Sequence, residues 1–126
     1  MSADDPFVFA IGATQALARD VCRSLETELA PAEERSFEDG EHKLRPLCNV
    51  HGRDCYVVHS LHGDDEQSVN DKLCRLLFFA ATLHDHGAAG VSVVCPYLAY
   101  ARKDRRTKTR DPVTTRYVAQ AMEAMG

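Results

Sequence analysis

VSVVCPYLAYARKDRRTKTRDPVTTRYVAQAMEAMG, residues 91–126, runs from an apolar stretch through a basic one into a segment of helical periodicity. Residues 91–100 predict a strand, rich in β-branched and aromatic side chains. Asp111 is expected to cap the following helix with Pro112 at its first position, and Gly126 to close it. A strand that feeds a loop and then a helix is the building unit of a parallel α/β sheet.

The same unit recurs on the N-terminal side. FVFAIGA, residues 7–13, and CYVVHSL, residues 55–61, are short continuous apolar runs of the kind that a sheet buries on both faces. After the first, Leu17, Val21, Leu25 and Leu29 recur every four residues and predict a helix with that apolar face, closed by Pro31. After the second, Ser68 with Asp71 three residues on resembles a capping box, and Leu73, Leu76, Leu77, Ala80, Ala81 and Leu83 form a long apolar face before Gly87 and Gly90. Between the two units, AEERSFEDGEHKLRPL predicts two short strands around the turn at Asp39-Gly40. The expected fold is therefore α/β, with a mainly parallel sheet, helices on both faces and a β-hairpin, in one domain of 126 residues whose 44% hydrophobic content suffices for a core.

Charge singles out one loop. Residues 102–110 hold Arg102, Lys103, Arg105, Arg106, Lys108 and Arg110 against the single acid Asp104, a net +5 that leaves −9 for the remainder of a chain with total charge −4. A nucleic-acid-binding domain spreads basic charge over a face and reaches a pI above ~9, whereas this chain has a pI of about 5.8 and no aromatics interleaved within 102–110. A small anion such as a nucleotide fits better, because the loop follows a strand of a parallel sheet, where ligands bind, and enters a helix N-terminus.

Other classes are disfavoured. No run is long and apolar enough for a membrane span, and the first residues lack a signal peptide's basic start and apolar core, so a cytoplasmic location is expected. Cys22, Cys48, Cys55, Cys74 and Cys95 are odd in number without C-x-x-C spacing, sit mostly within apolar strands or helices, and read as buried thiols. His42, His51, His59 and His62 are scattered, and His84 and His86 lie on different helix faces, so no metal site is expected.

Three stretches together carry a family resemblance: SFEDGE at 36–41, VNDKLCRLLFFAATL at 69–83, and CPYLAYARKDRRTKTRDPVTTRYVAQAMEAMG at 95–126. In order and spacing, residues 1–126 resemble the N-terminal half of ribose-phosphate pyrophosphokinase, and the pattern PYxxYARxDRR is the specific part. The resemblance implies a phosphoribosyltransferase-like N-terminal domain and a diphosphoryl transfer from Mg2+-bound ATP to ribose 5-phosphate, which would make AMP the leaving group. It implies that Phe37 stacks on adenine with Asp39 and Glu41 at the base's polar edge, serving a neighbouring subunit's site in a homo-oligomer. It places Arg102 at the nucleotide, with Lys103, Asp104, Arg105 and Arg106 in the same phosphate-side loop. The catalytic histidine, the ribose-phosphate loop and the basic flap of the family belong to a C-terminal catalytic half that this chain lacks. No catalytic residue is therefore assigned here.

Three departures from the family pattern stand out. Lys103 replaces the usual glutamine, NVHG at 49–52 replaces the SVRG of phosphate-activated members, and the loop between Ser60 and Asn70 is longer. The alternative reading is a non-catalytic regulatory or oligomerisation module of the same family. A nucleic-acid-binding domain is the third, weighed down by the acidic remainder of the chain.

Overall fold

A computed structural model describes residues 5–126. Three strands, β1 (Phe7–Ala10), β4 (Asp54–Val58) and β5 (Gly90–Val94), form a parallel sheet in the order β1-β4-β5. The hairpin β2 (Ala32–Ser36) and β3 (His42–Pro46) is a separate antiparallel pair, with Ser36 opposite His42 at its tip end. The helices are α1 (Gln15–Ser24), α2 (Val69–Asp85) and α3 (Thr114–Ala124).

Because side chains alternate across a strand, the apolar runs supply two cores at once. Phe9, Cys55 and Val57 point to the face covered by Leu76, Phe79 and Leu83 of α2, and Met122 of α3 packs against the same cluster. Phe9 and Phe79 meet edge to face with ring centroids 5.3 Å apart, a favoured aromatic geometry. Val8 and Val58 point the other way, onto Ala18 and Cys22 of α1. Helices thus lie on both faces, as expected. The capping box at α2 is also present: Ser68 Oγ accepts from Asp71 N at 3.1 Å and Asp71 Oδ2 from Ser68 N at 3.0 Å.

Several details differ from the sequence reading. The buried face of α1 is Ala18 and Cys22, whereas Leu17, Val21 and Leu25 are exposed. Only small side chains let the helix axis approach β1 and β4, so the leucine stripe is rotated off by one residue and flanks the contact instead of filling it. The third strand ends at Val94, since Pro96 cannot join a ladder and the chain turns through Tyr100, whose φ is +62°. The α3 helix begins at Thr114, and Asp111 does not cap it. Among the thiols, Cys22 and Cys55 are buried and Cys48 and Cys95 partly so, but Cys74 is exposed on the outer side of α2.

Candidate functional site

The carboxyl end of β5 opens into a groove of about 910 Å³ lined by Tyr97, Tyr100, Arg102 and Lys103 on one side and by His62 and Asn70 on the other. Backbone bonds fix its walls. His59 N donates to Val94 O at 3.0 Å and Leu61 N to Tyr97 O at 2.9 Å, so the segments that leave β4 and β5 stay side by side beyond the strands. The Tyr100 hydroxyl donates to Asn70 Oδ1, tying the loop to the first turn of α2, and His62 meets the Tyr97 ring edge-on with centroids 5.0 Å apart.

The basic loop itself is built around Asp111. Its Oδ2 accepts from Lys103 Nζ at 2.9 Å, Thr107 Oγ1 at 2.9 Å and the Lys108 amide at 3.0 Å. The Lys103 hydrogen bond, followed by that of Thr107, holds the Asp111 carboxyl down at about 2. Thr115 closes the loop from α3, with its hydroxyl on Tyr100 O at 2.8 Å and its amide on Lys103 O at 3.3 Å. Tyr100 and Arg110, both with left-handed backbone at φ +62° and +67°, bracket the segment. Such conformations cost an L-residue about 1–2 kcal/mol and are held only where the surroundings over-determine them. Two of the early amides of α3 are engaged within the loop and helix, Thr115 N on Lys103 O and Arg116 N on Val113 O, which leaves fewer of them to an anion than the sequence predicts.

The predicted residues divide into two sets. Arg102 and Lys103 line the groove; Asp104, Arg105 and Arg106 are exposed on the same loop without lining it. Among the described contacts Arg102, Arg105 and Arg106 carry no ion pair, whereas Lys103 is committed to Asp111. Phe37, Asp39 and Glu41 stand elsewhere, on the tip of the hairpin, and the groove's lining includes none of them. Phe37 is 43% exposed, with the Arg35 guanidinium 5.4 Å from its ring centroid. The tip is closed by its own hydrogen bonds: Phe37 N donates to Glu41 O at 2.8 Å, and the Asp39 carboxylate accepts from Glu41 N at 3.0 Å, which lowers the Asp39 pKa. A clamp that the sequence did not announce aims the hairpin. Arg75, buried on α2, donates to Glu34 Oε1 and Ser36 Oγ, both at 3.0 Å, and Glu34 Oε2 accepts from Gly12 N at 3.1 Å.

Residues 7–126 match the family model described as the N-terminal domain of ribose phosphate pyrophosphokinase. The chain belongs to that family. The ribose-phosphate pyrophosphokinase of Ureaplasma parvum is 36% identical over 98% of this chain and 36% of that protein. Ribose-phosphate pyrophosphokinase 1 of Streptococcus pneumoniae is 32% identical over 100% of the chain and 38% of its own length. The crystal structure of phosphoribosylpyrophosphate synthetase from Mycobacterium smegmatis superposes with a TM-score of 0.88 at 27% identity, over 98% of this chain and 40% of that one. The chain therefore spans well under half the length of the family members it matches. Among the described residues no helix is long and apolar enough to cross a membrane, and no group of three or more His, Cys, Asp or Glu could hold a metal ion.

Proposed function

We propose that this chain is the nucleotide-side domain of a ribose-phosphate diphosphokinase, and that its basic loop receives the phosphates of ATP. The observation that carries the reading is the exposed trio Arg102, Arg105 and Arg106, unpaired among the described contacts, on a loop fixed at the carboxyl end of β5. Guanidinium forks match phosphate oxygens two at a time, and cations that no internal carboxylate neutralises are the ones available to a ligand. Lys103 has a different part: bonded to Asp111 and Thr107, it sets the loop's shape at the groove wall. The hairpin residues Phe37, Asp39 and Glu41 would serve the groove of a second copy, since they do not line the groove of their own chain.

In the reaction proposed, the C1 hydroxyl oxygen of ribose 5-phosphate attacks the β-phosphorus of ATP. The bond from that phosphorus to the α,β-bridging oxygen breaks, the proton of the attacking hydroxyl is released to solvent, and AMP leaves with the bridging oxygen. Such transfers depend on positioning and on charge stabilisation. Mg2+ would supply part of that stabilisation when bound with ATP. The described residues do not form a magnesium cage, for Asp111 is already bound to Lys103 and Asp104 stands without a second carboxylate beside it, so no step is assigned to the metal here. This domain's own contribution is to bind and orient the nucleotide.

Titration with ATP and with a short DNA duplex at two salt concentrations tests the reading. It requires ATP to bind with the shallower salt dependence. Duplex binding as tight as ATP, with a steep salt slope, would contradict it.

A further inference from the structure

Next to the groove, and sharing its His62 wall, lies a smaller cavity of about 190 Å³ at the carboxyl ends of β1 and β4. Thr14, His59, Ser60, Asp64 and Lys72 are among the residues that line it. Two of them are buried in a way that packing alone does not account for. His59 is 1% exposed, yet neither ring nitrogen has a hydrogen-bond partner. The carbonyls of Ile11 and Lys72 lie near enough to favour its protonated form but make no hydrogen bond with the ring. Buried polar groups are nearly always satisfied, and an unsatisfied one costs about 1–3 kcal/mol.

The second is Lys72, which is 8% exposed. Its ammonium donates to His62 O at 2.7 Å and to Asp64 Oδ2 at 2.8 Å. An ammonium has three donors, so one is left beyond these two contacts. Asp64, by contrast, is 45% exposed and sits on a surface turn, its carboxylate also accepting from the amides of Glu66 and Gln67 at 2.9 and 2.8 Å. The arrangement is a buried cation whose counter-charge comes in from the solvent side. Thr14 does not compete for a ligand through its proton, which is committed to the Ile11 and Val58 carbonyls. Ser60 contributes a hydroxyl with no hydrogen bond among the described contacts. The field at the floor is positive, since both Lys72 and Arg75 act to disfavour a proton on His59.

We propose that this cavity binds a phosphate-sized oxyanion, with Lys72, the His59 ring N–H and the Ser60 hydroxyl as donors, and that the Asp64 carboxylate is the internal competitor the anion displaces from Lys72. The cavity far exceeds the ~10–15 Å³ that one water requires. The site is separate from the Arg102 loop and does not depend on the nucleotide reading; the shared His62 wall places its ligand beside whatever fills the groove. The shared chemistry is a tetrahedral phosphate, either free or at the end of a sugar or nucleotide.

The test is a titration of the isotope-labelled chain with inorganic phosphate, ribose 5-phosphate and ATP in separate arms, following the His59 ring and Lys72 side-chain resonances. Saturable shifts at both residues are expected in at least one arm. The arm with the tightest response identifies whether free phosphate or an esterified one is the ligand. Asp64→Asn removes the competitor and should tighten binding by about tenfold. Lys72→Met should abolish it, and Arg19→Ala, on the exposed side of α1, should leave it unchanged. If Lys72→Met fails to fold by circular dichroism, His59→Gln replaces it, with an expected loss of binding of about fivefold or more. No shift at His59 in any arm, or an Asp64→Asn variant that binds no tighter than the parent chain, would overturn the proposal. Loss of inorganic phosphate binding in Arg102→Ala would also overturn it, since the anion would then occupy the groove.

Discussion

Acidification from pH 7 to pH 4.5 is expected to remove about 2 kcal/mol of folding stability through one residue, His59. Burial is the largest cause of its depressed pKa, with the Lys72 and then the Arg75 charge acting in the same direction, and together they bring it down to about 4 from the ordinary 6.5. The unfolded chain therefore takes up a proton near pH 6.5 that the folded chain refuses until about pH 4. Across that window the unfolded state binds more protons, so stability is fully present above it and declines as pH falls. Integrated to pH 4.5, the linkage gives about 2 kcal/mol, a sizeable part of a domain stability of about 5–15 kcal/mol. His42, lowered mainly by burial and by Arg75, adds in the same sense. Asp64 and Asp111, both lowered to about 2, begin to give up their contribution as pH falls through the ordinary carboxylate value of 3.8 and lose it by about pH 2. Urea unfolding at pH 7, 6, 5 and 4.5 measures the effect, with His59→Gln as the reference because glutamine does not titrate. The parent chain should lose stability across this range by about 2 kcal/mol more than the variant. Equal pH dependence in the two would refute the assignment of a neutral, buried His59.

Further outcomes follow from particular contacts. Arg75→Met should destabilise the chain by about 2–3 kcal/mol in urea unfolding, because it strands Glu34 and releases the hairpin from α2. Phe37→Ala, on the exposed tip, should change stability by less than about 0.5 kcal/mol while weakening ATP binding wherever two copies associate. A mixture of Phe37→Ala and Arg102→Ala chains, each defective in ATP binding, should recover part of it; subunit exchange without recovery would return Phe37 to a role within its own domain. Alkylation near pH 8 should reach Cys74 well before Cys55 and Cys95, whose thiols burial pushes up to about 11. Mass spectrometry of the partially modified chain decides the order.

The alternation of apolar runs and periodic segments made the sheet, both helix-bearing faces and the hairpin readable, because each is a local pattern. The capping box was legible for the same reason. The face of α1 was not: a four-residue leucine period looks like a core face, and only the close approach of Ala18 and Cys22 to Val8 and Val58 shows that small residues define the contact. The role of Asp111 was misread because a helix cap and a loop anchor share the same residue type, and the choice between them lies in where Lys103 and Thr107 come to rest. The cations of the loop were visible as charge, and Tyr97 and Tyr100 stood within the quoted motif, though their place on the groove wall was not foreseen. Arg75, Glu34, His59 and Lys72 gave no signal at all. Their partners lie far away in sequence, as with the 41 residues that separate Glu34 from Arg75, and only the folded chain brings them together.

Calorimetric titration of ATP into the parent chain and into Arg102→Ala tests most directly whether the loop after β5 is the nucleotide-binding element. Loss of the guanidinium's charge-assisted bonds should weaken ATP binding by about 1–3 kcal/mol, with the fold unchanged by circular dichroism because Arg102 is exposed and holds no ion pair among the described contacts. An ATP affinity identical in the two proteins would contradict the claim and remove the basic loop from the site.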